Sequence, residues 1–398
     1  MSAGARPERA DTGQQRPVRR RDPLWAKLFV LFGALLMVAA GGAIVGKNML
    51  FSYATRSVAE EDLLGSAGSA NLQKGHVDIT GAKNVLLVGV DQRPWEEEGS
   101  DLIRADSIII LHIPADHQSA YLISIPRDTW VEIPPFDNGV EKFGRQSDKI
   151  NGAYALGGKG LTGTKARGKA IELLALTIKE HWQITFDAAA IVDFTGFKDV
   201  VNVLGGVDMY VDQEVTSVHV GFTASGEQKV PFKQYDCNGG ATCLQAIPGV
   251  TPKKYHVGYQ HLEPWEALDY VRQRETLPNS DYDRQRHQQQ FIKALFKKML
   301  SKDVVTNPLQ FNKVVDVVGK AMTVDAGGID LEDWAFAMKG IGGDDVVTVK
   351  TNNGTFNASP ENRGAEALDA LTLELLAAVR ENRVATFLAG HADLATTS

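Results

Sequence analysis

Cysteine is almost absent, with two in 398 residues, Cys237 and Cys243. No further Cys or His cluster completes a zinc site around them. They enclose "NGGAT", a short glycine-containing turn that can bring two Cα atoms within bridging reach, so a structural disulfide is expected. An oxidising exterior favours that bond. Basic charge is also in deficit: 42 Lys and Arg stand against 49 Asp and Glu, for a formal net charge of −7. A nucleic-acid binder usually carries a basic domain, so no nucleic-acid partner is expected. Internal repeats are missing too. What remains, 43% hydrophobic and 23% charged residues, is ordinary globular composition.

One long apolar run stands out. "LFVLFGALLMVAAGGAIVG", residues 28–46, is uncharged and bounded by Lys27 and Lys47. Its length just spans a hydrocarbon core of roughly 30 Å, and a cleaved signal peptide has a shorter apolar region. Arg16, Arg19, Arg20, Arg21 and Lys27 precede it, which places the amino terminus in the cytoplasm. The expected organisation is a disordered cytoplasmic tail over 1–27, a single-pass transmembrane helix over 28–46 and a juxtamembrane spacer over 47–80. An extracytoplasmic domain then fills 81–398.

The domain opens with "KNVLLVGVD", a buried-strand pattern ending at Asp91. "DSIIILHI" starts a second strand at Asp106, "PADHQS" turns the chain, and "AYLISIPRD" returns as a third strand ending near Arg127. Helical patterns and strands then alternate through "GTKARGKAIELLALTIKEHW", "AAAIVDF", "GFKDVVNVLGG" and "VDMYVDQEV". A polar insertion is expected over about 216–257, with helices from Leu262 onward broken by one strand, "DVVTVKT". This is an α/β pattern, three layers of α-β-α, and the hairpin makes the central sheet mixed.

If the first three strands are antiparallel neighbours, Asp91, Asp106 and Arg127 meet at one sheet edge. Carboxylates that share a site bind a metal or raise each other's pKa; loop-end solvation is the plainer alternative. A second basic feature is "YVRQRETLPNSDYDRQRHQQQ". Here Arg272 and Arg274 are expected on one face of an extended chain after a helix "PWEALDY". Asp281, Arg284 and Gln288 stand on one helix face, with Arg286 off it. Arginines from two local geometries suit a multiply charged anion, because the guanidinium fork grips phosphate oxygens bidentately. With two carboxylates for Mg²⁺, the expected ligand is a diphosphate.

"NVLLVGVD", "RADSIIIL", "LISIPRDT", "KINGAYALGG", "VDFTGFKDVVNVLGGVDMYV", "EALDYVRQR" and "DYDRQRHQQQ" resemble, in order, the signature blocks of the LytR-CpsA-Psr family. The likeness is strong over roughly 84–290. It implies an enzyme that moves a glycopolymer from a polyprenyl-diphosphate carrier to peptidoglycan through a phosphodiester link. It also implies a membrane-anchored topology. By this resemblance Asp91 and Asp106 are the Mg²⁺-associated aspartates. Arg104, Arg127, Lys149, Arg272, Arg274, Arg284 and Gln288 hold the diphosphate, and Asp281 is the acidic partner before Arg284. Asp106 and Asp281 are candidate general bases, with Asp193 a further one. Ile191, Phe194 and Phe197 would help line a tunnel for the prenyl chain. His287 stands where many relatives have arginine, which would thin the rim of the pocket. Teichoic acid, capsule, arabinogalactan and other wall glycans all fit as cargo. The alternatives are a prenyl-diphosphate hydrolase, a non-catalytic wall anchor and a membrane-anchored transcriptional attenuator.

Overall fold

The computed structural model describes residues 59–68, 79–90, 103–192, 194–237, 242–299 and 345–396, with shorter pieces between 313 and 342. Eight strands make one mixed sheet: β1 (Ala59–Glu60), β2 (Lys83–Val90), β3 (Ala105–Ile113), β4 (Ala120–Ile125), β5 (Ala188–Val192), β6 (Met322–Asp325), β7 (Val346–Val349) and β8 (Ala395–Thr396). Their spatial order is β1-β6-β5-β2-β3-β4-β7-β8. The meander β2-β3-β4 is antiparallel, as the hairpin in the sequence requires, while β5 joins β2 and β7 joins β4 in parallel.

Alternation along these strands builds two cores. Val85, Leu87, Ile109, Leu111 and Leu122 point to one face, and Leu86, Val88, Ile108, Ile110 and Ile123 to the other. The first face is covered by α3 (Phe194–Val203), α4 (Pro264–Tyr270) and α5 (Asp281–Met299). The second is covered by α1 (Asn151–Gly158), α2 (Gly163–Trp182), α6 (Ala370–Arg380) and α7 (Val384–Gly390). Three layers follow. Each aliphatic side chain removed from water contributes roughly 1.5–3 kcal/mol, so β3, buried along its whole length, anchors the domain.

Local signals set the helix ends. Glu263 and Glu266 form a capping box with Pro264 in the first turn, so α4 begins and ends where the sequence places it. α2 stops at Gln183, whose left-handed backbone lets its N–H return to the Lys179 carbonyl. At Gly157 a Cβ would lie 2.2 Å from the Lys169 carbonyl oxygen, so α1 packs onto α2 only with glycine there.

Three expectations change. Residues 59–68 belong to the domain rather than to a spacer: Leu63 and Leu64 are buried, and their N–H groups donate to Asp325 at 2.9 Å. The segment read as a polar insertion is ordered β structure. Val215–Thr223 pairs with Gln228–Lys229 and with Val250–Tyr255, and Phe232–Asp236 pairs with Thr242–Ala246. Exposure of most side chains on the latter hairpin hides its alternation. The expected disulfide, Cys237–Cys243, closes it with Cα atoms 5.8 Å apart. Finally, β6 was hidden in a region read as helical: four residues are too short a pattern, and the strand exists through its partners β1 and β5. Among the described residues no helix is long and apolar enough to cross a membrane, and the 28–46 run lies outside them.

Candidate active site

The sheet edge where β2 ends and β3 begins carries a distortion. Gly89 pairs with Ser107 and Val90 with Ala105, so Asp106 is the extra residue of a β-bulge. A bulge re-aims one side chain, and here it re-aims a carboxylate. Ile108 pairs with Ile125, and two residues further on Asp106 and Arg127 face each other. They form a charge-assisted ion pair in which the carboxylate is almost fully buried. Around it, Arg104 donates to the Asn151 Oδ1 at 3.2 Å and stands 4.0 Å from Asp148. Lys149 pairs with Asp128 at 3.0 Å. The Asn151 N–H donates to the Arg127 carbonyl, which ties the start of α1 to the same edge.

The other wall comes from α4 and α5. Ser107 donates to Gln288 at 3.3 Å, so α5 touches the strand residue next to Asp106. Arg284 precedes Gln288 by one turn on the same helix face. The rings of Tyr270 and His287 stack at 4.7 Å, pinning the end of α4 to α5 two residues before Arg272. "VRQR" is a tight turn rather than an extended strand. Gln273 is the reason: fully buried, it donates to the Asp269 carbonyl and accepts from the Val218 N–H, both at 2.9 Å. Arg272 and Arg274 therefore flank an anchored glutamine. Arg274 stays partly exposed, 3.2 Å from Glu275. Arg272, Arg284 and Gln288 retain only 8%, 4% and 2% of their exposure. A solvated charge run is excluded, since long cationic side chains are almost never fully buried without anionic company.

The family model described as LytR_cpsA_psr family matches residues 49–375. The chain belongs to the LytR-CpsA-Psr family. It is 27% identical to a polyisoprenyl-teichoic acid–peptidoglycan teichoic acid transferase, TagU, of Bacillus mycoides, over 68% of this chain and 70% of that one. The cell wall biosynthesis protein LcpA of Corynebacterium glutamicum is also 27% identical, over 71% of this chain and 52% of that one. This chain thus spans about half the length of LcpA. Among solved structures, the protein gbs0355 of Streptococcus agalactiae superposes with a TM-score of 0.50 at 18% identity, covering 76% of this chain and 88% of that one. That likeness concerns the fold.

Of the residues that the LytR-CpsA-Psr resemblance nominated, Asp106, Arg127, Arg104 and Lys149 gather on the β3–β4 side, and Arg284 and Gln288 on α5. Asp281 opens α5. Asp91 and Asp193 lie outside the described residues, although Val90, just before Asp91, pairs with Ala105. Phe194 and Phe197 fall on α3. Ile191 packs in the α1–α2 core, the face opposite the one that Val200 and Val201 of α3 fill. Among the described residues no three His, Cys, Asp or Glu side chains gather as a metal cluster.

Two α5 residues are corrected. His287 is not on a rim; it is fully buried, with its Nε2 3.4 Å from Asp212 and 3.2 Å from the Gln213 amide. Burial lowers its pKa, against the raising pull of Asp212. Arg286 is no bystander, since it bridges Asp212 at 2.7 Å and Asp283 at 2.6 Å. Burial alone would raise the Asp212 carboxyl, but His287 and Arg286 hold it well below the carboxylate range. Ser107, Asn151, Asp128, Asp148 and Gln273 were not singled out from sequence. Their signal was adjacency, because each lies within two residues of a nominated one.

Proposed function

We propose that this chain transfers a glycopolymer from a polyprenyl-diphosphate carrier to a peptidoglycan sugar hydroxyl, leaving a phosphodiester link. The observation that carries this reading is the burial of Arg272 and of Arg284, the latter on the helix whose Gln288 touches the strand residue next to Asp106. Such a wall of guanidinium forks suits the oxygens of a diphosphate, with each charge-assisted contact worth on the order of 1.5–3 kcal/mol. The name of TagU supports the substrate class, and that of LcpA a place in cell wall biosynthesis.

In this scheme the acceptor oxygen bonds to the phosphorus nearer the polymer, and the bond from that phosphorus to the bridging oxygen breaks. Polyprenyl phosphate leaves with the electron pair. The hydroxyl proton passes to a carboxylate, Asp106 or Asp281. Arg127, Arg272 and Arg284 stabilise the charge that develops on the phosphoryl oxygens. Asp106 offers hard oxygen donors of the kind Mg²⁺ takes, and Val90, the residue before Asp91, pairs with Ala105. Mg²⁺ commonly takes one or two carboxylates together with substrate phosphates. When bound it would neutralise diphosphate charge, held by Asp91 and Asp106. The domain works outside the cell membrane, anchored through residues 28–46, with peptidoglycan and membrane lipid as its partners.

Product analysis tests the reading. With purified lipid-linked polymer and peptidoglycan, polymer should become covalently attached through phosphate, and Asp106→Asn should lower the rate at least a hundredfold. Free phosphate-ended polymer at the same rate without acceptor would instead identify a hydrolase.

A further inference from the structure

The strand Val215–Thr223 leaves its ladder where it meets the arginine turn. Thr216 pairs with Lys254 and Gly221 with Pro252, so residues 217–220 stand opposite Lys253 alone. This is a second bulge, larger than the one at Asp106, and bulges re-aim groups beside functional sites. The Ser217 hydroxyl holds its shape, accepting from the Val220 N–H at 2.8 Å and the His219 N–H at 3.1 Å. Between them, the Val218 N–H is turned away from the ladder and donates to Gln273.

A buried carboxylate completes the arrangement. Asp269, in the last turn of α4 and 2% exposed, accepts from the Ser217 hydroxyl and the Gln273 Nε2, both at 2.9 Å. Its other oxygen accepts from the Tyr255 hydroxyl at 2.8 Å. Ser217, Gln273 and Tyr255 are themselves fully buried. Apolar side chains of similar volume hold a fold as well as a buried carboxylate does, without its desolvation cost. What the carboxylate adds is direction. With Nε2 committed to Asp269, the Gln273 Oε1 is left for Val218, and the amide has one orientation. Arg272 is tied to the same residue, since its N–H donates to the Asp269 carbonyl at 3.1 Å. Beyond Arg274, the Thr276 hydroxyl donates to the Thr216 carbonyl at 2.7 Å. The turn that carries both arginines is therefore fastened before and after them to one strand.

We infer that Asp269 and Ser217 are positioning residues, which act through Gln273 to set where the Arg272 guanidinium stands. The inference rests on the diphosphate reading of the arginine wall, and it gives the bulged strand a part in that site. The full chain in detergent is titrated calorimetrically with pyrophosphate and Mg²⁺, below the unfolding transition of each variant. Misplacing a positioned group by about 1 Å costs on the order of a hundredfold, so Asp269→Ala and Gln273→Met should weaken binding by about tenfold or more. Ser217→Ala, which removes one hydroxyl, should weaken it by about threefold or more; with Gln273→Met it carries the comparison should Asp269→Ala not fold. Residues that act through one another show non-additive losses. In an Arg272→Ala background each of the three changes should therefore cost less than about twofold more, whereas a merely structural role gives losses that add. Additive losses overturn the positioning and leave the diphosphate reading standing. So do wild-type affinities in all three variants when Arg272→Ala binds weakly. Arg272→Ala that binds pyrophosphate as wild type does overturns both.

Discussion

Arg272, Arg284 and Arg286 carry the same formal charge within fifteen residues, and burial and partners give them different work. Arg286 is committed to Asp212 and Asp283, and Asp283 in turn accepts from the Asn279 N–H at 2.9 Å. Arg286 and Asp212 are half-buried and Asp283 is buried, so removing Arg286 leaves Asp283 uncompensated, a loss of about 1–3 kcal/mol. Arg286→Ala should therefore lower the denaturant midpoint without changing the slope. Below the melting transition, its pyrophosphate affinity should stay within about twofold of wild type. A weakened pyrophosphate affinity with normal stability would place Arg286 in the diphosphate wall instead. Asp106 combines both roles, because it is buried against Arg127. Its substitution costs stability as well as turnover, and rates must be compared on folded protein.

At the scale of elements, β3 and α5 hold buried histidines that couple the fold to pH. His112 on β3 is held down to about 4 by burial, from an ordinary 6.5. Its stabilising effect is complete above 6.5. It is lost as pH falls toward 4, because the unfolded chain takes up a proton that the folded one refuses. The loss approaches about 3 kcal/mol for that residue. His287 on α5, also lowered by burial, acts in the same direction. Asp212 adds stability that is lost only further down, below its ordinary 3.8. Denaturation midpoints should fall steadily between pH 6.5 and 4.5, and His112→Gln should flatten that slope. A slope identical in wild type and variant would show that His112 is protonated without penalty.

Elements also show what the sequence made legible. The β2-β3-β4 meander could be read because eight- and nine-residue apolar runs leave one arrangement, and its register carried Asp106 to Arg127 without further information. The helix α4 was fixed by a local capping box. What could not be read depends on distant partners. β6 exists through β1 and β5, the turn at Arg272 depends on Gln273 reaching Val218, and the bulge at Asp106 depends on pairing across two strands. The polarity of His287 suggested a surface, and the packing of α5 against α4 put it inside, while Asp212 and Asp283 draw Arg286 into a half-buried position.

For the whole molecule, residues 59–68 bind the chain leaving the proposed membrane span to β6 through Asp325 and to α2 through Glu172. The domain would then sit close to the bilayer, within reach of a lipid-linked donor. Protease added to intact protoplasts should digest everything beyond about residue 50; protection of the domain would reverse the orientation. The arginine wall itself is tested most directly by calorimetric titration of the full chain, in detergent, with a short prenyl diphosphate and Mg²⁺. Arg272→Lys and Arg284→Lys keep the charge but lose the planar fork, so affinity should fall by about ten- to a hundredfold. Arg145→Lys, a surface ion-pair residue bonded to Glu132 and Glu180, should change affinity less than about twofold. Equal affinities in all three variants would contradict the diphosphate site.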